Sequence, residues 1–343
     1  MNPSLAIVAV GARTPVGLAA EPTAAAVRAG LSGIREYPFL ATNGEPLNLG
    51  VDARLDARLE GRERVVQLAQ SVLLEVLRKL NRPGLDRSRV RVLLALPGAR
   101  PGFSDADAAA VIDTLSSHLR YEGLTRPVEL AGRGHAGVIA AIERFAHPAD
   151  DAPLLVVGAD SHAHPDTLVW LERERMLASE GARDGFVPGE AAGCLALASP
   201  RVCQTLGLPR LAAVAAVGTA YEDCSRTSET GSLGVGMTRA VTTALVGLAG
   251  ADHVDVVHLD INGERYRSEE WGFVTLRVGG ALGAGDYVSP CECWGDVGAA
   301  SGALLAGLAV QSWARGYARG PRALVATGSL DGLRSAMLLR APA

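Results

Sequence analysis

Apolar residues fall along this chain in two patterns, short continuous runs and stripes at three- and four-residue spacing, which predict strands and helices in turn. Leu5–Val10 reads as a strand and Pro22–Leu31 as a helix. Tyr37–Asp56 carries Pro38, Asn43-Gly44, Pro46 and Asn48, the marks of irregular structure or small hairpins. Arg62–Leu80 is the strongest helix: Val65, Leu68, Ala69, Val72, Leu73, Val76 and Leu80 form its stripe, while Arg64, Glu75 and Lys79 lie off it, with Lys79 on an ordinary charged face. Val90–Leu96 is an apolar strand of the doubly buried type, and Asp105–Arg120 a helix. A brief strand, Val128–Leu130, precedes an apolar-faced helix, Gly137–Phe145, and the strand Leu154–Asp160. A charged helical segment, Asp166–Glu180, leads towards the strand Cys194–Ala198. A second series then opens: strand Leu211–Gly218, helix Thr238–Leu248, strand Val254–Leu259, helix Gly298–Trp313, and strands Arg322–Thr327 and Ser335–Leu339.

Both series alternate strand and helix and end on two successive strands, which predicts parallel sheets covered by helices and duplication of one α/β unit. Two halves are expected, residues 1–200 and 201–343, with separate sheets sandwiching helices from both. Between them the glycine-marked helix starts at 132–137 and 295–302 would converge on one pocket. The pivot is the elbow Ala131-Gly132-Arg133-Gly134-His135, where two glycines mark a sharp strand-to-helix turn. Free N–H groups and the helix dipole favour anions and developing oxyanions there, yet the turn carries no obvious nucleophile.

Composition narrows the classes. At 343 residues with 48% hydrophobic content and a formal net charge of -4, the chain reads as a soluble globular protein without a nucleic-acid footprint. Lys79 is the only lysine, which argues against Schiff-base chemistry elsewhere. Five cysteines, Cys194, Cys203, Cys224, Cys291 and Cys293, fit reduced thiols better than a disulfide framework and imply a cytoplasmic setting. The first apolar run lacks a basic flank and reads as a buried strand, and Val297–Val310 is too short and too rich in Gly and Ala to span a bilayer. Gly283-Ala284-Gly285-Asp286 lacks the strand-and-helix context of a nucleotide loop, and no cofactor is expected.

Three motifs in order resemble the thiolase-like condensing enzymes, especially the β-ketoacyl-acyl carrier protein synthases. They are Leu155–Asp160 with its preceding helix, the lead-in Arg183-Asp184-Gly185-Phe186-Val187-Pro188-Gly189-Glu190-Ala191-Ala192-Gly193, and Gly295-Asp296-Val297-Gly298-Ala299-Ala300-Ser301-Gly302. The resemblance spans the chain and implies the duplicated α/β fold with five layers, αβαβα, and a homodimer formed through the strand beside the elbow. It also implies a catalytic cysteine at the elbow and two downstream histidines. Counting back without gaps from Gly158-Ala159-Asp160 places that cysteine at Gly132, and small shifts offer only Arg133, Gly134 or His135. Asn262 and Asp296 stand at the two histidine positions. The family's upstream lysine has no counterpart. Without thiol and imidazoles, ordinary Claisen condensation is not expected.

Several residues keep two readings. His135 is either a base or donor at the elbow or a helix-start histidine bonded to local carbonyls. Asp296 either lines the pocket or caps the following helix. Cys291 and Cys293, on one side of a strand, are a redox pair, an alternative nucleophile, or inert packing beside Trp294. Asp160, His162, His164 and Asp166 form the densest ligand-type cluster, although a metal is not expected. The polar, aromatic loop Asn262–Trp271 is a recognition surface with Glu264, Arg267 and Trp271 as binding candidates, or a solvated turn. The leading functional expectation is a catalytically degenerate binding, accessory or scaffold factor, with a secreted effector, a biosynthetic partner or an acyl carrier protein as partner. Acyl transfer on acyl-CoA or acyl carrier protein thioesters without the usual cysteine, and altered chemistry through His135, Asn262 and Asp296, are the alternatives.

Overall fold

The computed structural model describes residues 5–42, 44–147, 151–178, 184–224, 226, 231–250, 252–283 and 287–342. Asn43, Arg183, Ala284–Asp286 and the end of the Asp166–Glu180 segment lie outside the described residues.

The first series of elements runs β1 (Ala6–Arg13), α1 (Ala20–Arg28), β2 (Ile34–Leu40), β3 (Pro46–Gly50), α2 (Arg62–Lys79), β4 (Arg91–Leu96), α3 (Asp105–Tyr121), β5 (Glu129–Arg133), α4 (Gly137–Phe145), β6 (Leu154–Ser161), α5 (Pro165–Arg173) and β7 (Glu190–Ala198). After α6 (Pro200–Leu206) come β8 (Ala212–Tyr221), α7 (Val235–Leu245), β9 (Val256–Leu259), α8 (Arg265–Val278), β10 (Tyr287–Val288), α9 (Cys291–Trp294), α10 (Ser301–Ala314), β11 (Arg322–Gly328) and β12 (Leu333–Arg340). β2 and β3 form a separate hairpin.

Among the described residues the other ten strands join in the order β10-β9-β11-β12-β8-β1-β7-β6-β4-β5. Either side of the β8–β1 junction the order and directions repeat. In each half the first strand pairs antiparallel with the fifth, the fifth antiparallel with the fourth, and the remaining pairs are parallel. The expectation of two separate sheets is corrected here: β1 and β8 join them through Ala6–Ala213 and Ile7–Ala212.

Alternation along the apolar strands explains the layering. Ile7, Leu93, Val156 and Leu195 pack with Val256, Val325, Met337 and Leu339 around α4 and α10. Their neighbours Val8, Leu94, Val157 and Cys194 turn outward to α2 and α3, and Val257, Leu324 and Leu338 turn outward to α7 and α8. The ladder therefore bends back on itself at β1–β8 and encloses α4 and α10, giving the five-layered αβαβα thiolase-like fold. Close approach depends on small residues: a Cβ on Gly158 would lie 2.1 Å from the Ala299 carbonyl oxygen.

Three sequence readings are corrected. The polar stretch after β9 is mostly helix, α8, because Arg267, Glu270 and Trp271 face inward together with Val274. Cys291 and Cys293 sit on the one-turn helix α9 and share no strand face. Lys79 is no plain surface charge: its Nζ donates to Val10 O at 2.9 Å and to Glu75 Oε1 at 2.7 Å, while Glu75 also accepts from the backbone of Ala12 and Ala20. Among the described residues no helix is long and apolar enough to cross a membrane.

Glu190, fully buried at the start of β7, receives both Arg64 Nε and Nη2 at 2.6 Å, together with Asp52 N and Ser161 Oγ. Removing one partner of a buried pair strands the other charge. Arg64→Met is therefore expected to lower unfolding free energy by about 3–5 kcal/mol in urea titrations, and an unchanged midpoint would refute that role.

Candidate functional site

β5 ends at Arg133 and the chain turns into α4 through Gly134, whose backbone has φ +63° and whose Cβ would meet Ser329 Oγ at 2.7 Å. The next side chain, His135, faces a cavity of about 520 Å³. At the second helix start Gly298 has φ +48°, and a Cβ there would fall 1.9 Å from Asp160 Oδ2. Both glycine-marked starts thus reach one cavity.

His135 Nε2 lies 2.9 and 3.0 Å from the two carboxylate oxygens of Asp296. Asp296 also accepts from Asn262 Nδ2 at 2.6 Å and from Gly298 N at 2.9 Å, so it lines the site and caps the turn leading into α10 together. Asn262 Oδ1 in turn receives Glu264 N, and Arg267 bridges Glu264 at 3.0 Å, Asp260 at 3.1 Å and the Gly328 carbonyl at 2.8 Å. Across the cavity Arg100 Nη2 donates to Asp160 Oδ1 at 2.6 Å, and Asp160 Oδ2 receives Ala299 N. Among the described residues Glu264 Oε1 and Arg100 Nε are buried without a hydrogen-bond partner.

Electrostatics follow from these neighbours. Burial opposes charge on His135, but the Asp296 carboxylate outweighs it and raises the imidazole above its ordinary value. Burial likewise opposes charge on Asp296, and the His135 charge and hydrogen bond, with Arg267 behind them, hold its carboxyl well below the usual range. His162 is pushed down by burial and by Arg100. Its Nδ1 contacts Gly189 O at 3.0 Å, which leaves Nε2 of the neutral ring as an acceptor. The opposite wall is apolar: Trp170, Leu171, Met176 and Phe186.

The sequence candidates are distributed unevenly. His135, Asp296, Glu264 and Arg267 line the cavity, and Asn262 touches it through Asp296. Gly132 does not line it: the residue lies in β5, where a Cβ would meet the Gly137 backbone at 2.4 Å. Arg267 and Trp271 are not surface anchors either. Arg267 is 5% exposed within ion pairs, and Trp271 packs in the outer core beside Met237, Val241 and Val274. The helix-start donors at α4 are partly engaged, since Ala136 N bonds Ser329 Oγ and Gly137 N bonds Gly134 O. The ligand-type cluster is dispersed: Asp160 serves Arg100, His162 serves Gly189, and His164 Nδ1 caps α5. All five cysteines are free, and burial raises the Cys291 and Cys293 thiols. Among the described residues no cysteine lines the cavity. Arg100, Ser329 and the Trp170–Phe186 wall went unflagged; the Gly98–Pro101 turn directly after a buried strand was the available signal for Arg100.

No protein-family model matches the chain, and no curated protein matches it. Solved structures do. A type II PKS acyl-carrier protein in complex with its ketosynthase bound to the hexaketide aligns with TM-score 0.80 at 16% identity over 100% of both chains. The ishigamide ketosynthase/chain length factor aligns with TM-score 0.74 at 19% identity, covering 99% of this chain and 100% of that one. A ketosynthase in complex with its chain length factor from Xenorhabdus doucetiae gives 0.74 at 16%, over 99% and 98%. The chain thus has the fold of ketosynthases and chain length factors.

The His135–Asp296 pair sets a pH dependence. Because the folded imidazole value is raised, its stabilising contribution is complete below about pH 6.5 and disappears as pH rises through the folded value. Asp296, being depressed, contributes above about pH 4 and loses that share in acid. The stability difference between the native chain and His135→Gln is expected to shrink as pH rises from 6 to 9, measured by urea midpoints; a constant difference would refute the charged pair.

Proposed function

We propose that this chain is a catalytically degenerate ketosynthase-like protein that serves as a binding or accessory partner, engaging an acyl carrier protein or a ketosynthase. The observation that carries this reading is His135: the side chain delivered into the cavity from the start of α4 is an imidazole already held by a buried carboxylate, and among the described residues no cysteine lines that cavity. Cys291 lies behind the pair, beside His135 and Asp296, with its thiol raised by burial, so a covalent acyl-enzyme has no cysteine in the cavity to form on. The cavity's apolar wall facing a charged one suits an acyl chain with a polar head. The three neighbours described above, ketosynthases with a carrier protein or a chain length factor, favour the same partner class. Within the proposal the chain comprises two duplicated halves, residues 1–200 and 201–343, a division supported by the repeated strand order. The free cysteines favour a cytoplasmic setting.

Incubation with acyl-CoA and with malonyl and acyl carrier protein thioesters is expected to leave the intact mass unchanged and release no carbon dioxide. An adduct mapped to Cys291 or Cys293 would overturn the proposal. A second reading, acyl transfer without the cysteine, is favoured by the same imidazole–carboxylate pair, which has the form of an oriented general base. Thioester turnover that His135→Ala abolishes would establish it.

Among the described residues β5 ends the strand order and leaves Leu130 40% exposed beside an unpaired edge. The proposal includes a homodimer built by pairing this edge across a twofold axis. Light scattering at micromolar concentration should give a dimer for the native chain and a monomer for Leu130→Lys; a native monomer counts against it.

A further inference from the structure

A second cavity, of about 390 Å³, lies between α1, α10, β9 and β10 and shares no lining residue with the site above. Val27, Val256, Val288 and Leu308 give it an apolar interior, while Arg28, Ser312, Tyr317 and Arg319 also line it. His258 also lines it. On β9 this residue pairs with Val288 of β10 and Val325 of β11, and strand alternation puts it on the face shared with Val256, towards α10. It is 4% exposed, and among the described residues neither ring nitrogen has a hydrogen-bond partner. Burial lowers its pKa to about 4, so the ring is neutral and offers one donor and one acceptor. At the mouth the exposed Arg28 guanidinium stands 4.3 Å from the centroid of the Tyr317 ring, and both residues line the cavity.

A buried imidazole with both nitrogens unpaired is unfavourable for the fold alone and is the type of convergent polar group that orients a ligand in an apolar pocket. We propose that this cavity is a second small-molecule site, independent of the functional reading above. Its ligand is a mainly apolar carboxylate of about a dozen heavy atoms, bearing a hydroxyl at the end remote from the carboxylate. His258 bonds the hydroxyl and Arg28 meets the carboxylate.

The test is calorimetry with 4-hydroxycinnamate as probe, beside cinnamate, which lacks the hydroxyl, and methyl 4-hydroxycinnamate, which lacks the charge. The full chain is expected to bind the hydroxy acid at least tenfold more tightly than either analogue. His258→Phe, which keeps the ring volume, should erase the preference for the hydroxyl while melting at or above the native temperature, because it removes an unpaired polar group. Arg28→Ala should erase the preference for acid over ester. Absence of saturable binding by all three probes at millimolar concentration, or a hydroxyl preference unchanged in His258→Phe, would overturn the proposal. Neither result bears on acyl chemistry at His135.

Discussion

A buried carboxylate cannot stay ionised without donors around it, and Asp296 gathers them from three separated segments. His135 comes from the start of α4, Asn262 from the loop after β9, and the Gly298 amide from the turn into α10. One charge therefore fixes how the two central helices begin and ties them to the second half of the sheet. The cavity is the space left in front of that knot.

The rest of the polar wall repeats the same solution. Arg100 neutralises Asp160, Arg267 stands between Asp260 and Glu264, and Arg334 pairs with Glu270 one layer further out at 2.7 Å. Such pairs add little net stability compared with apolar packing, but leaving one member alone is costly. Their geometry is accordingly rigid, while the facing wall of Trp170, Leu171, Met176 and Phe186 imposes only shape. A ligand here meets directional groups on one side and an apolar surface on the other.

Elements buried on both faces were readable because physics leaves them little choice. In β4 the residues Val92, Leu93, Leu94 and Ala95 alternate between two cores, so a continuous apolar run was sufficient to assign the strand. α8 was hidden for the opposite reason. Arg267 and Glu270 resemble surface charges in sequence, and only the partners Asp260, Glu264 and Arg334, distant or on a turn, permit their burial. At the elbow β5 bulges against β4, where Leu94 pairs with Leu130 but Ala95 pairs with Gly132, and the left-handed Gly134 then turns the chain into α4. The resemblance located the cavity and offered His135 among the elbow positions, while the ungapped count itself fell on Gly132, which does not line it.

His135 belongs to a coupled set. It reaches Asp296 from the start of α4, and Asn262 reaches the same carboxylate from the loop after β9. Placing a thiol at position 135 alone would not create a nucleophilic centre, because Asp296 would lose its main counter-charge and that buried carboxylate would raise the thiol's pKa. The helix starts offer little compensation, since Asp296 and Asp160 already take the amides of Gly298 and Ala299 and Ser329 takes that of Ala136. Oxyanion stabilisation needs donors held open for the substrate. Here the amides of Ala136, Gly298 and Ala299 are already joined to the protein's own oxygens, so those three are not open to a substrate.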